Sequence, residues 1–312
     1  MGVQSVIAHA RRKFLAARNI LAIGYGPKRV GDETRDVSAI IFYVRKKGPK
    51  SYDARTRVPK WLCDRDATGS IDRSRRFRTD VREIGSARLV SSGQRCSSSF
   101  HKGTASLAFD AYSGNSRAVY ALTCAHVIGD VHLNTPGFER VKLEIPGAGY
   151  ALGSRVHQVS KRNGRLEFDI AIAKLDDAAP AVPLRVVPKD GTAFTGFMKP
   201  PLPRNRRVRI LGYKTRAVKN GRIVGPLHTA MPIHFDGGLL HVRNLYVMED
   251  FTPKRGDSGG IVYAGDRAIG VVVAKFTRGG CLFHSLYSAT KRLFRQPSLG
   301  LDVDLIFQRG SP

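Results

Sequence analysis

Cysteine is scarce in this chain. Cys63, Cys96, Cys124 and Cys281 are the only four in 312 residues. None stands in a C-x-x-C pair, so the usual structural zinc motifs are excluded and no metal is expected. Four in so long a chain also build no disulfide framework. Reduced thiols are expected instead, in a reducing compartment such as the cytoplasm. Long apolar runs are missing as well, so no membrane-crossing helix is expected. The opening stretch, MGVQSVIAHARRKFLAARN, carries charge in its middle and lacks the apolar core of a secretory signal. Its Val3, Ile7, Ala10 and Phe14 share one helical face. A helix packed on its own domain is therefore expected in preference to an organellar transit segment. Acidic residues are the third shortage. Asp and Glu number 25 against 52 Lys and Arg, for a net charge of +27. Such a surface attracts polyanions: nucleic acid, acidic proteins or an anionic membrane surface. The basic residues are scattered along the chain, so an arginine-rich solvated surface accounts for the excess equally well.

What is present is globular: 42% hydrophobic and 25% charged residues, in a length comfortable for two domains. No cofactor is implied. After the first helix, NILAIGYG (19–26) reads as a strand entering a glycine turn. DVSAIIFYVRKK (36–47) reads as a β-branched strand. Gly24-Tyr25-Gly26 does not open a dinucleotide loop, because Arg29 stands at the third glycine position and no helix follows. The arginine-rich SIDRSRRFRTDVRE (70–83) reads as a loop or extended arm, and SSGQRCSSSF (91–100) as a linker. This places a boundary near residue 95, with a small basic α+β module over 1–95. From 96 to 312 the pattern changes to short strands with turn signals: TASLAFDAY, AVYALTCAHVI, KLEIPGAGYALG, FDIAIAKL, RVRILGY, IVYAG and AIGVVVAKF. These indicate an antiparallel barrel or sandwich. SATKRLFRQ suggests a short helix near the end.

Three residues could act together. Ser258 lies in RGDSGG (255–260), where three glycines suit a loop that turns backbone N–H groups toward an oxyanion. A serine hydroxyl needs a base to take its proton. His126 ends the apolar strand ALTCAHVI, at a position suited to a barrel rim. The base in turn needs a buried acid, and Asp169 opens the apolar run DIAIAKL.

ALTCAHVI, FDIAIAKL and RGDSGG, in the order His, Asp, Ser, resemble the three motifs of chymotrypsin/trypsin-like serine proteases. The resemblance implies a chymotrypsin-like double six-stranded antiparallel β-barrel and a peptide or protein substrate. It implies Ser258 as nucleophile, His126 as base, Asp169 as orienting acid, and the N–H groups of Gly256 and Ser258 as the oxyanion hole. NILAIGYG, SAIIFYVRKK, VPKW (58–61), TDVREIG (79–85) and KGTASLAF (102–109) resemble the leader module of the plant Narrow-leaf proteins and of related bacterial trypsin-like proteins.

The chain departs from secreted trypsins. Val127, not cysteine, follows the histidine, and no Ile-Val-Gly-Gly-like activation site precedes the barrel. Asp257, which the resemblance equates with the acid that pairs with a freed N-terminus, must be satisfied another way. The implied floor of the specificity pocket is Thr252, so no preference for Lys or Arg is expected unless Asp250 shifts in. Ala274 and Lys275 are placed near the cleft, where Lys275 either favours acidic substrate residues or is simply solvated. The remaining histidines show no metal-ligand spacing, and His284 is a weak candidate for the pocket. RNRRVR (204–209) could bind phosphates, but reads more readily as a loop and an adjoining strand's solvated face. A basic binding protein that uses the protease fold as scaffold, or a protease switched on by a polyanion, is the competing expectation.

Overall fold

The computed structural model describes residues 2–294 except 18, 32, 49–56, 66–69, 90–106, 114–115, 129–140, 146–148, 159–160, 163–164, 176–193, 195, 213, 216–217 and 236–237. Within them the chain has the mainly β architecture expected from its sequence, with one closed six-stranded barrel and a five-stranded sheet among the described strands.

Helix α1 (Val3–Phe14) is followed by β1 (Ile20–Val30), β2 (Glu33–Val44), β3 (Trp61–Arg65) and β4 (Ile71–Glu83). The sheet order is β1-β2-β4-β3, with β2 and β4 parallel and the other pairs antiparallel. β2 is apolar on both faces because both are covered. Ile40, Phe42 and Val44 pack under Val6, Ile7, Ala10 and Phe14 of the helix, while Ile41 and Tyr43 join the large core shared with the barrel. The expected first helix is thus confirmed. Two expectations are corrected. The arginine-rich stretch is strand β4, not an arm. Nor do Gly24 and Gly26 make a turn, since β1 runs straight through them. A Cβ on Gly26 would lie 2.6 Å from the carbonyl of Val224. These glycines let β1 lie backbone-to-backbone on the barrel, where the His228 N–H donates to the carbonyl of Ile23 at 2.9 Å. Arg82 of β4 closes the same interface. It pairs with Asp80 at 3.0 Å and with Glu249 of the barrel at 2.6 Å, and donates to the carbonyl of Pro27.

β5 (Ala87–Leu89) already belongs to the barrel's sheet, so the module's own sheet ends at Glu83. The expected boundary at residue 95 and the serine-rich linker fall outside the described residues. Next come β6 (Leu107–Ser113), β7 (Ser116–Thr123), the single turn α2 (Ala125–Ile128), β8 (Val141–Ile145) and β9 (Gly149–Gln158). Two short strands follow, β10 (Lys161–Arg162) and β11 (Arg165–Leu166), and then β12 (Ala171–Leu175). β6-β7-β12-β9-β8 form an antiparallel sheet.

The closing unit contains β13 (Gly196–Phe197), β14 (Arg207–Leu211), β15 (Lys219–Pro226), β16 (Met231–Phe235), β17 (Gly238–Val242), β18 (Leu245–Glu249), β19 (Ile261–Ala264), β20 (Arg267–Phe276), β21 (Cys281–Ser285) and helix α3 (Leu286–Phe294). β20-β19-β14-β15-β18-β21 pair antiparallel in turn, and β21 pairs back to β20, closing a six-stranded barrel. Val208, Ile210, Ile223, Met248, Val262, Val272 and Phe283 form its apolar core. β14 alternates as a half-buried strand should, with Arg207 and Arg209 exposed and Val208 and Ile210 buried. Arg204 of the same basic cluster is not simply solvated: its guanidinium lies 4.2 Å from the ring centroid of Tyr25.

Candidate active site

Strand pairing brings the first two candidates together. β7 and β12 are antiparallel neighbours, with Thr123 opposite Ala171. His126 sits three residues beyond Thr123 and Asp169 two residues before Ala171, so both emerge at the same end of the sheet. Asp169 Oδ1 accepts the His126 backbone N–H at 3.0 Å, and Oδ2 lies 2.5 Å from His126 Nδ1. On the other side His126 Nε2 is 2.8 Å from Ser258 Oγ. Ser258 comes from the loop between β18 and β19, which the Gly259 N–H pins to the carbonyl of Val272 at 2.9 Å. All three side chains are buried: Asp169 and Ser258 at 0% exposure and His126 at 6%.

The charges fit this arrangement. Burial opposes ionisation of Asp169, but the interaction with the His126 ring and the hydrogen bonds from its Nδ1 and backbone N–H hold the carboxyl below the usual range. An ionised carboxylate only accepts, so Nδ1 of His126 carries the proton and Nε2 is left to accept from the serine hydroxyl.

Two supports had no signal in the sequence. His284, a pocket candidate from the sequence, lies behind Asp169 and is not among the residues lining the cavity described below. Its Nε2 accepts the Asp169 N–H at 2.8 Å, and its Nδ1 faces the carbonyl of Asn244 at 3.1 Å. Burial pushes His284 down to about 4, so the ring is neutral and can accept that N–H. The other support serves Asp257, which is fully buried. Its carboxylate accepts the N–H groups of Lys214 and Thr215, each at 2.9 Å. It also accepts the Thr215 hydroxyl at 2.5 Å and the Lys254 N–H at 2.8 Å. The acid is therefore satisfied within the chain.

Gly256 takes φ +101°, a conformation that glycine alone adopts easily. Thr252 is exposed, and its hydroxyl accepts the Gly280 N–H at 3.3 Å. It lines a cavity of about 530 Å³ with Arg29, Arg82, Glu249, Phe276 and Gly280. That cavity lies between module and barrel, and His126, Asp169 and Ser258 do not line it. Asp250 borders it too, but its carboxylate is 3.0 Å from Arg222 Nε. Ala274 is buried and Lys275 half-buried, both on β20 beneath β5.

Cys124, His126 and Asp169 bring one donor atom each within 4.8 Å of one another. They fit a metal poorly. Both ring nitrogens of His126 are engaged, and burial pushes the Cys124 thiol far up, so it stays protonated and donates to the carbonyl of Val272 at 3.2 Å. Cys63, Cys124 and Cys281 are free thiols, while Cys96 lies outside the described residues. Among the described residues no helix is long and apolar enough to cross a membrane.

No family model and no curated protein matches the sequence. Solved structures do match in shape. A glutamic acid specific serine protease aligns at TM-score 0.40 and 16% identity, over 63% of this chain and 91% of that one. Protease A of Thermobifida fusca aligns at 0.40 and 19%, over 65% and 93%. The Nocardiopsis protease aligns at 0.39 and 21%, over 61% and 95%. These neighbours are chymotrypsin/trypsin-like serine proteases.

Proposed function

We propose that the protein is a serine endopeptidase. The observation that carries this reading is the single imidazole joining a buried carboxylate at 2.5 Å to a buried hydroxyl at 2.8 Å. Ser258 Oγ attacks the substrate's carbonyl carbon as His126 Nε2 takes its proton. Asp169 keeps the ring in the right tautomer and stabilises the imidazolium that forms. The N–H groups of Gly256 and Ser258 hold the oxyanion. His126 then gives its proton to the leaving amine, and water cleaves the acyl-enzyme in the reverse sequence. Of the specificity candidates, Ala274 and Lys275 follow Val273 beside Ser258, whereas Thr252 lines the separate cavity between module and barrel. The hydrogen bonds around Asp257 support a site that needs no liberated N-terminus to set its loop. The free thiols support a reducing compartment, and the N-terminal module, with its Narrow-leaf-like motifs, acts in this reading as a docked companion to the barrel.

Fluorophosphonate labelling tests the proposal. Wild type should label at Ser258 and Ser258→Ala should not. A wild-type chain that never labels, with or without added RNA, would sink it.

One observation favours polyanion binding as a second property. β4 exposes Arg73, Arg75, Arg76 and Arg78, and two of these guanidinium groups lie 5.1 and 5.6 Å from the ring of Trp61. Basic side chains beside an aromatic face suit a nucleic-acid strand. A salt titration with single-stranded RNA checks it: binding that is absent at physiological salt removes the idea.

A further inference from the structure

Beside the nucleophile runs a backbone edge that the chain itself fills. Ser258 Oγ lies 3.3 Å from the carbonyl of Val273 on β20. The next three residues of that strand pair antiparallel with β5: Ala274 with Leu89, Lys275 with Arg88 and Phe276 with Ala87. The register gives β5 a direction. Ala87 is farthest from Val273 and Leu89 nearest, so the segment approaches Ser258 with its C-terminal end leading. A peptide substrate must arrive in the same sense, because the carbonyl that is attacked lies at the C-terminal end of its acyl half.

The other edge of β5 is also paired. β16 lies parallel to it, with Ile233 opposite Ala87 and His234 opposite Arg88. Among the described strands, the β16–β17 hairpin reaches β20 through β5 alone. Removing β5 would therefore leave a slot one strand wide between two backbone edges. The slot binds by strand addition, in which main-chain hydrogen bonds supply affinity and tolerate many side chains. The contacts of β5 fit that description: Ala87 is small and buried, and Arg88 points to solvent. Just before it, Ser86 and Thr277 exchange two 3.0 Å hydrogen bonds, which extend the ladder away from the serine. The serine that the slot leads to is sealed, at 0% exposure.

We propose that Ala87–Leu89 is an internal substrate-like strand that occupies the peptide-binding slot between β16 and β20 and competes with extended peptides for Ser258. The proposal rests on the peptidase reading above. A three-residue strand would bind weakly if free. Here it is tethered to a docked module, which raises its effective concentration to roughly the millimolar range. An external peptide must displace it to reach the serine.

The test uses the full chain, fluorescein-labelled casein, and the variants Arg88→Pro and Arg88→Ala. In a strand paired on both sides each N–H faces a neighbour, so proline removes a ladder bond, whereas alanine keeps it and controls for the lost side chain. Arg88→Pro should degrade casein faster than wild type, by on the order of tenfold or more. Self-cleavage just C-terminal to Leu89, absent from Ser258→Ala, would support the same seating. Equal casein rates in Arg88→Pro and wild type overturn the proposal. Fluorophosphonate labelling of the same samples separates the two readings: equal rates with a labelled serine dismiss the internal strand alone, and no labelling in any chain dismisses the peptidase. Hydrogen exchange in Ser258→Ala needs neither activity nor proline. A saturating synthetic peptide of the Ile84–Leu89 sequence should speed exchange at the chain's own 87–89 while 274–276 stays protected. Unchanged exchange at 87–89 overturns the proposal even if Arg88→Pro does not fold.

Discussion

Asp169 and Asp257 are both carboxylates at 0% exposure near Ser258, yet they are neutralised in different ways. Asp169 faces a titratable ring, which can take a second proton and become a cation. Asp257 faces four neutral donors, three of them backbone N–H groups. A charge balanced by fixed dipoles has no second state to move into, so it can only hold the loop in place. A charge balanced by an imidazole stabilises one protonation state of its partner over the other, which is what a proton-transfer step requires. Two acids of one type thus divide into chemistry and architecture according to what surrounds them.

That division can be tested by removing each charge. Asp169→Asn should lower casein turnover by about 10⁴, because the amide favours the wrong His126 tautomer. Turnover within a factor of ten of wild type would dissolve the distinction. Asp257→Ala leaves the part-buried N–H groups of Lys214, Thr215 and Lys254 without their acceptor, each at up to about 1–3 kcal/mol. A fall of several kcal/mol in urea unfolding is expected, with loss of labelling as the loop moves. A wild-type urea midpoint would show that the loop is held by something else. The smallest effect belongs to His284, which supports Asp169 from behind. Its folded pKa is about 4 against an ordinary 6.5. As pH falls between those values the unfolded chain takes up a proton that the folded chain refuses, so stability decreases with acid across that window. Asp169, held below the usual carboxylate range, adds a loss of the same sign at still lower pH. His284→Gln should flatten the upper part of this dependence, seen as a smaller change in urea midpoint between pH 7 and pH 4.5.

The sequence made the barrel strands legible wherever apolar residues alternate or run together, as in DIAIAKL and GVVVAKF, and it singled out His126, Asp169 and Ser258, which lie within hydrogen-bond distance in series. It hid what depends on distant partners. β4 reads as an arm because its solvent side is arginine; Thr79 and Val81 turn inward only once β2 lies alongside. Gly24 and Gly26 signal a turn locally, and only the barrel's backbone against them explains their lack of side chains. Three of the four donors to Asp257 belong to Lys214 and Thr215, about 42 residues earlier, with nothing local to mark them. β5 is three residues long, too short for any periodicity to declare it a strand.

Trp61 is the chain's only tryptophan, and it sits half-exposed on β3 of the N-terminal module. Intrinsic tryptophan emission is therefore a local gauge of that module, blind to the barrel that follows it. Circular dichroism averages over every strand. Followed together through a denaturant titration, the two optical signals show whether the module unfolds before the barrel or with it.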